Sequence, residues 1–275
     1  MANLLDFTAK TLIVTGGSSG IGAATVTLAL EHGATVHVLD IAEPTDDRVS
    51  FERCDLGDPD SIDAVVDVLP SSVDGLLNCA GVPNGPRFSP DDVMAVNWLG
   101  LRHLTEHLLP RIPDGGAVVN VASTAGRDWA ARLDHHRELM AAEGFEAGRA
   151  WLAAHRSIWG DGYSFSKEAV QYYTLWRAVQ LLPTGVRMNS VCPGVTNTSI
   201  VADFRKGLGD EIIDHAQAIA GRMADPAEMA PAMLFLADPH CSSYLNGVNL
   251  NIDRGTGAAR STDQSDPISI WGQDN

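Results

Sequence analysis

The segment Tyr163-Ser164-Phe165-Ser166-Lys167 places a phenol and an ammonium four residues apart. On a helix these two side chains leave the same face one turn apart. A free phenol has a pKa of about 10, too high for a base at neutral pH, and an adjacent cation favours the phenolate. Such a pair can exchange a proton with an alcohol or a carbonyl. The same spacing is also that of an ordinary helical surface pair, so the elements around it must decide.

Composition narrows the field. A chain of 275 residues with 45% hydrophobic content suits an α/β domain with a sizeable core. No apolar run reaches the roughly 18 residues of a membrane span, and the start, Met-Ala-Asn-Leu-Leu-Asp, lacks the regions of a signal peptide. A soluble cytoplasmic protein is expected. Cys54, Cys79, Cys192 and Cys241 show no C-x-x-C spacing, so buried free thiols are expected rather than a zinc site or a disulfide framework. A formal charge of −16 argues against nucleic acid and anionic membranes as partners, since both need a basic footprint.

Thr11 to Thr15 is a β-branched run without an amphipathic period, which suits a strand buried on both faces. Gly16-Gly17-Ser18-Ser19-Gly20-Ile21-Gly22 follows, then an Ala- and Leu-rich helix to His32, stopped by Gly33. Strand, Gly-rich turn and helix together make a phosphate site: the helix start offers unpaired N–H groups, and glycines let a pyrophosphate approach. A second strand, Thr35 to Leu39, ends at Asp40, where a carboxylate can accept hydrogen bonds from a ribose diol. No Lys or Arg stands among Gly16 to Ser19 or at Ile41 to meet a 2′-phosphate. NAD is therefore expected rather than NADP. Val49 to Arg53 reads as a third strand with Asp55 beyond it, placed to hydrogen-bond an adenine. A capped helix from about Pro59 to Leu69 precedes a fourth strand, Gly75 to Asn78, which runs into Cys79-Ala80-Gly81, small residues that leave room for a cofactor. A helix from about Asp91 to Arg111 and a strand over Gly116 to Val121 follow, with Ser123 just past the carboxyl end, where open α/β sheets place ligands.

In order and spacing, Thr15-Gly16-x-x-x-Gly20-x-Gly22, Asn78-x-Ala80-Gly81, Asn97, Ser123, Tyr163-x-x-x-Lys167 and Pro193-Gly194 resemble the short-chain dehydrogenase/reductase family over roughly residues 8 to 255. Within it the chain looks similar to coniferyl-alcohol dehydrogenases and bacterial 3α-hydroxysteroid dehydrogenase/carbonyl reductases. The resemblance implies one Rossmann-type, doubly wound α/β domain over residues 1–275 with a seven-stranded parallel sheet. It implies Tyr163 as general acid/base, Lys167 lowering its pKa and binding the ribose, Ser123 holding the substrate oxygen, and Asn97 holding a water in a relay to Lys167. The cofactor set is Gly16, Ser18, Ser19, Gly20, Ile21, Gly22, Asp40, Ile41, Asp55, Leu56, Asn78, Ala80, Gly81, Tyr163 and Lys167, together with Pro193, Gly194, Thr196 and Thr198 around the nicotinamide; no metal is implied. A homodimer or homotetramer acting on a small hydrophobic alcohol or carbonyl is expected. A cofactor-sensing regulator on the same fold is the reading of another class, and the intact Ser-Tyr-Lys set counts against it.

The chain departs from the family between Ser123 and Tyr163, where 39 residues stand in place of a much shorter connection. Asp128 to Met140 and Phe145 to His155 read as two amphipathic helices joined at Gly144, an insertion over about 127–160. Trp129, Leu133, Phe145, Trp151 and Trp159 are expected either to shape a pocket for a bulky apolar alcohol or to pack the insertion's own core. Asp134-His135-His136 is expected to be a solvated face, because neighbours on a helix diverge by about 100° and do not readily share an ion. The Tyr-Lys helix is expected to run to about Leu182, followed by a strand over Val186 to Val191. Ser199 to Met223 is expected to be a flexible substrate-binding segment with Phe204 and Ile212 as walls. A helix over Pro226 to Leu236 and a last strand over Val248 to Ile252 follow. Asp253-Arg254-Gly255 replaces the family's usual Asp-Gly-Gly, and residues 258–275 are expected to form a polar tail, mobile unless it packs on a neighbouring subunit.

Overall fold

Aliphatic runs with no polar phase need cover on both faces, and they receive it. The computed structural model describes residues 5–267. Its strands are β1 (Thr11–Thr15), β2 (Thr35–Asp40), β3 (Ser50–Arg53), β4 (Gly75–Asn78), β5 (Ala117–Val121), β6 (Arg187–Pro193) and β7 (Asn249–Ile252). They form one parallel seven-stranded sheet in the order β3-β2-β1-β4-β5-β6-β7. Order reverses between β1 and β4, so the connections leave β1 and β4 on opposite sides and open a crevice at the strands' carboxyl ends.

Alternation along the strands divides the core. Ile13 and Leu76 face one layer with Leu104, Tyr173 and Val170; Leu12, Val14 and Leu77 face the other with Val26, Ala29 and Leu234. The helices are α1 (Gly20–Glu31), α2 (Pro59–Val68), α3 (Pro90–Met94), α4 (Leu101–Leu108), α5 (Leu133–Ala141), α6 (Phe145–Ala154), α7 (Arg156–Trp159), α8 (Tyr163–Leu181), α9 (Val201–Leu208), α10 (Asp210–Ala220), α11 (Ala230–Ala237), α12 (Pro239–Ser242) and α13 (Thr256–Ser261). No helix among the described residues is long and apolar enough to cross a membrane.

Three regions carry detail that the sequence reading did not supply. The helix expected over residues 91–111 is built of α3, a π-helical stretch over Ala95–Gly100 and α4, ending in a 3-10 turn at Leu109–Arg111. The widened turn falls on Asn97, and such stretches gather at functional sites. The segment expected to be flexible forms α9 and α10. The tail begins as α13, because Asp253 clasps its start: Oδ1 accepts from Gly255 N at 3.0 Å, and Oδ2 from Gly257 N at 2.7 Å and Thr256 Oγ1 at 3.0 Å. Residues 268–275 of that tail lie outside the described residues.

Candidate active site

A cavity of about 770 Å³ runs along the carboxyl ends of β1, β4, β5 and β6. At one end lies the Gly-rich turn. Close approach explains its glycines: a Cβ on Gly22 would stand 2.0 Å from Gly16 O, and one on Gly16 would stand 2.6 Å from Ala80 Cα. Ser19, the N-cap of α1, makes no side-chain capping bond, which leaves first-turn N–H groups for an anion. Asp40 accepts from Ser18 N and Ala42 N, each at 3.0 Å and each on a different carboxylate oxygen. An ionised carboxylate has about four acceptor positions, so two remain for a diol. Ser18 Oγ donates to Ala42 O at 2.5 Å, tying turn and strand end together. Asp55 Oδ1 accepts from Gly57 N at 2.8 Å. Thr198 closes over the turn, its Cγ2 3.3 Å from where a Cβ on Gly20 would stand. Uncapped amides, a half-satisfied carboxylate and a small-residue cradle fit a dinucleotide.

In the middle of the cavity stand Ser123, Tyr163 and Lys167. The first turn of α8 carries Tyr163 and Lys167; its inner stripe, Phe165, Ala169 and Tyr173, is buried at four-residue spacing and so fixes the helix's rotation. Gly126 lets the turn after β5 lie on that helix, since a Cβ there would meet Lys167 C at 2.5 Å. Gln171 Nε2 donates to Ser123 O at 2.7 Å and steadies the hydroxyl's backbone. Burial pushes the Tyr163 phenol up to about 12; the Ser123 hydroxyl pulls it back, and Asp161 adds a smaller upward push. The expected lowering by Lys167 is not present in the protein alone. Lys167 Nζ lies 5.8 Å from the centre of the Tyr163 ring and donates to Val121 O at 2.9 Å, while its own burial brings it down to about 8. Desolvation, opposed by the Ser123 hydroxyl, sets the direction here.

Of the expected cofactor residues, Gly16, Ser19, Gly20, Ile21, Gly22, Asp40, Ile41, Asp55, Leu56, Ala80, Gly81, Pro193, Gly194, Thr196 and Thr198 line the cavity with the central residues. Ser18, Asn78 and Asn97 are not among its lining residues and work from behind. Asn78 Nδ2 donates to Thr105 Oγ1 at 3.0 Å and Asn120 Oδ1 at 2.9 Å, and Asn120 Nδ2 donates to Thr174 Oγ1 at 3.0 Å, a buried chain joining β4, β5, α4 and α8. Asn97 Oδ1 accepts from Val82 N at 2.7 Å, and its Nδ2 donates to Val82 O at 2.9 Å and Ser166 Oγ at 3.3 Å. Its amide thus holds the Gly81-Val82 loop beside Lys167.

The insertion does not offer its aromatics to the cavity. Phe145 and Trp159 are buried in the same core layer as Trp98, and Trp159 Nε1 donates to Leu152 O at 2.9 Å. Trp151 stacks near Phe165 at 6.2 Å, and Trp129 lies 5.6 Å from Tyr172. Of the two readings, packing prevails, because α6 lies flat on the π-helical stretch: a Cβ on Gly148 would meet Leu99 Cδ2 at 2.5 Å. Arg102 adds a tie, donating to Met140 O and Ala142 O, each at 2.8 Å, at the end of α5. What the insertion does give the cavity is Arg127, Asp128 and Arg132.

Two further corrections concern side chains that the sequence placed in solvent or left unread. His136 is fully buried, its Nε2 3.2 Å from Glu168 Oε2. Arg132 donates Nε to Glu168 Oε2 at 2.9 Å and pairs through Nη2 with Oε1. Burial would raise Glu168, but the bonds from His136 and Arg132 outweigh it and hold the carboxyl below its usual range. This cluster was hidden because it joins residues 32 and 36 positions apart. Phe204 and Ile212 do line the cavity, and Phe204 meets the Tyr163 ring edge-on at 4.7 Å. Phe88, Ile213 and Arg260 line it without any prior sequence signal. Among the thiols, Cys54 and Cys192 are buried, while Cys79 and Cys241 are partly exposed. Asp63, His103 and His107 form a possible cation cluster, but none of them lines the cavity.

With the site in view, likeness to known proteins adds a class. Residues 10–133 match the family model described as short chain dehydrogenase, and residues 130–257 match that described as enoyl-(acyl carrier protein) reductase. The chain is 40% identical over 258 residues to a coniferyl-alcohol dehydrogenase of a Pseudomonas strain, covering 91% of this chain and 98% of that one. It is 30% identical to a cis-4-hydroxycyclohexanecarboxylate dehydrogenase of Sinomonas cyclohexanicum, covering 90% and 97%. The crystal structure of a 3-alpha-hydroxysteroid dehydrogenase from Pseudomonas sp. B-0831 complexed with NADH superposes with a TM-score of 0.76 at 30% identity, over 92% of this chain and 99% of that one. The chain belongs to the short-chain dehydrogenase/reductase family and is an oxidoreductase.

Proposed function

We propose that this protein oxidises a hydrophobic ring-bearing alcohol to the aldehyde or ketone with NAD, and carries out the reverse reduction. A coniferyl-type aryl allylic alcohol is the preferred substrate. One observation carries the reading: Ser123, Tyr163 and Lys167 share a cavity whose other end is the Gly-rich turn and the half-satisfied Asp40 carboxylate. The relatives' names agree in one respect, an alcohol on a ring-bearing skeleton. A hydroxysteroid or cyclic terpene alcohol is the second reading, supported by the apolar wall of Phe88, Phe204 and Ile213.

When bound, the nicotinamide supplies the hydride acceptor. The protein's residues handle the proton. Ser123 donates to the substrate oxygen and steadies charge there. As a phenolate Tyr163 takes the alcohol proton and becomes the neutral phenol, and Lys167, cationic below about pH 8, stabilises the phenolate before that step and after the reverse one. Val121 takes one of the three N–H groups of Lys167, and the other two would serve ribose and relay. Asn97, through its hold on Val82, keeps the loop beside Lys167 in place for that relay. The cytoplasmic setting is carried over from the sequence reading, and the homodimer or homotetramer from the resemblance.

Following NADH absorbance with NAD and a panel of primary and secondary ring alcohols tests the reading. Turnover is expected, and Tyr163→Phe should lower it by at least about 10²-fold, the least that general acid–base catalysis contributes, while NADH binding stays nearly intact. A Phe variant that retains more than about a tenth of turnover would remove Tyr163 as the base.

A further inference from the structure

Four arginines line the cavity, Arg87, Arg127, Arg132 and Arg260, in a chain of formal charge −16. With 35 acidic residues available, each could have found a carboxylate partner. Two have done so. Arg87 Nε donates to the buried Asp203 at 2.8 Å, and Arg132 is paired with the buried Glu168.

The other two have no buried carboxylate partner among the described residues. Arg127 donates Nη1 to Thr124 O at 3.1 Å and approaches Asp128 only at 3.8 Å, where that carboxylate is 67% exposed. Arg260 is partly buried, and its side chain has no hydrogen bond or ion pair among the described residues. The nearby acid that could have served it, Asp253, already accepts from Gly255 N, Thr256 Oγ1 and Gly257 N. The two guanidinium groups are close enough to repel. Burial first, and the Arg127 charge second, hold Arg260 below its usual range, against the opposite pull of Asp128 and Asp253. Arg127 is exposed and Arg260 half-buried, and like charges brought together beside a half-buried group carry a cost that an anion between them offsets. Guanidinium forks match a carboxylate bidentately, which makes that the anion of choice.

Both arginines come from places outside the dinucleotide end. Arg127 follows the Ser123 turn at the head of the insertion, and Arg260 comes from α13. The cavity wall also carries Phe88, Phe204, Ile212 and Ile213. An amphiphilic molecule satisfies both surfaces.

We propose that Arg127 and Arg260 form a carboxylate subsite, so that the substrate is a ring alcohol bearing a carboxylate remote from its hydroxyl. Within the ring-alcohol class this sets a carboxylated alcohol in place of the neutral coniferyl-type one, and it rests on the reading of the cavity as an alcohol dehydrogenase site.

Two measurements test it, one of which needs no turnover. In the first, kcat/KM is compared for 4-(hydroxymethyl)benzoate and 4-methylbenzyl alcohol in the full-length protein and in Arg260→Gln and Arg127→Gln. The carboxylated alcohol should be preferred at least tenfold, and each substitution should collapse that ratio towards one. In the second, 4-methylbenzoate and 4-methylbenzamide are titrated into the NADH complex and followed by nicotinamide fluorescence. The benzoate should bind at least tenfold tighter, an advantage lost in Arg260→Gln. Equal binding of acid and amide, or an acid preference that survives both substitutions, would overturn the subsite. So would a large loss of NADH affinity in Arg260→Gln, which would assign the arginines to the dinucleotide phosphates. If no alcohol is oxidised yet the benzoate advantage is present and Arg260-dependent, the subsite stands and the reaction assigned above falls.

Discussion

Lys167 is 5% exposed, and burial lowers it from 10.5 to about 8. At about 1.36 kcal/mol per pKa unit, keeping it charged in the folded protein costs about 3 kcal/mol at neutral pH. Between about pH 8 and 10.5 the unfolded chain binds a proton that the folded protein does not, so this residue makes stability rise with pH across that window. Below pH 8 both states are protonated and the whole cost applies. Replacing Lys167 by Met keeps the volume and removes the charge. It also removes the donor to Val121 O, worth about 1 kcal/mol. The net gain at pH 7 is therefore about 2 kcal/mol, or a Tm higher by roughly 4–8 °C in a chain of this size. At pH 10 most of the folding cost has gone, and the two proteins should melt within about 2 °C of each other. Thermal unfolding of the dinucleotide-free proteins at pH 7 and pH 10, followed by circular dichroism, gives the comparison; other titrating groups cancel in the difference. A Lys167→Met variant less stable than the parent at pH 7, or a gain that does not change with pH, refutes the reasoning. Activity should meanwhile be lost, a case of a catalytic group held at the expense of stability.

Cofactor choice rests on Asp40, whose two free acceptor positions would face a 2′-phosphate in NADP. At about 4 Å and an effective dielectric of 20, like charges cost on the order of 4 kcal/mol, and a residual 2 to 3 kcal/mol after screening still means roughly a hundredfold. NAD should be preferred at least about a hundredfold in kcat/KM, and Asp40→Ala should narrow the gap mainly by weakening NAD; comparable values for both cofactors in the parent enzyme would remove Asp40 from the ribose. Trp159→Ala should destabilise by about 3–5 kcal/mol, seen as a lower midpoint in urea, because it empties a fully packed site and removes the indole's bond to Leu152 O. The same variant should leave the ratio of KM values for bulky and small alcohols unchanged; a selective effect on the bulky one would return Trp159 to the substrate cavity.

The strands and the nucleotide end were legible in the chain because their physics is local. β1 and β4 occupy the residues their apolar runs mark out, and the Gly16 to Gly22 turn needs only its own glycines and the strand and helix around it. Asp40 could be placed because it ends a strand. Tyr163 and Lys167 share a face by helical geometry alone.

Tertiary structure decided what depends on a neighbour distant in sequence. Amphipathic periodicity announced the insertion's helices but could not say which partner their apolar face meets, and it proved to be Leu99 and Phe165 rather than a substrate. His136 looked solvated because its partner, Glu168, lies on another helix. The phenol's pKa could not be read from the Tyr-Lys spacing, because desolvation is set by everything that encloses the ring. Arg260 stands on α13, whose start Asp253 clasps. Where a charge stands relative to its counter-ions is a property of the packed molecule, and of the four cavity arginines two have a buried carboxylate, Arg127 has only an exposed one at 3.8 Å, and the Arg260 side chain has none among the described residues.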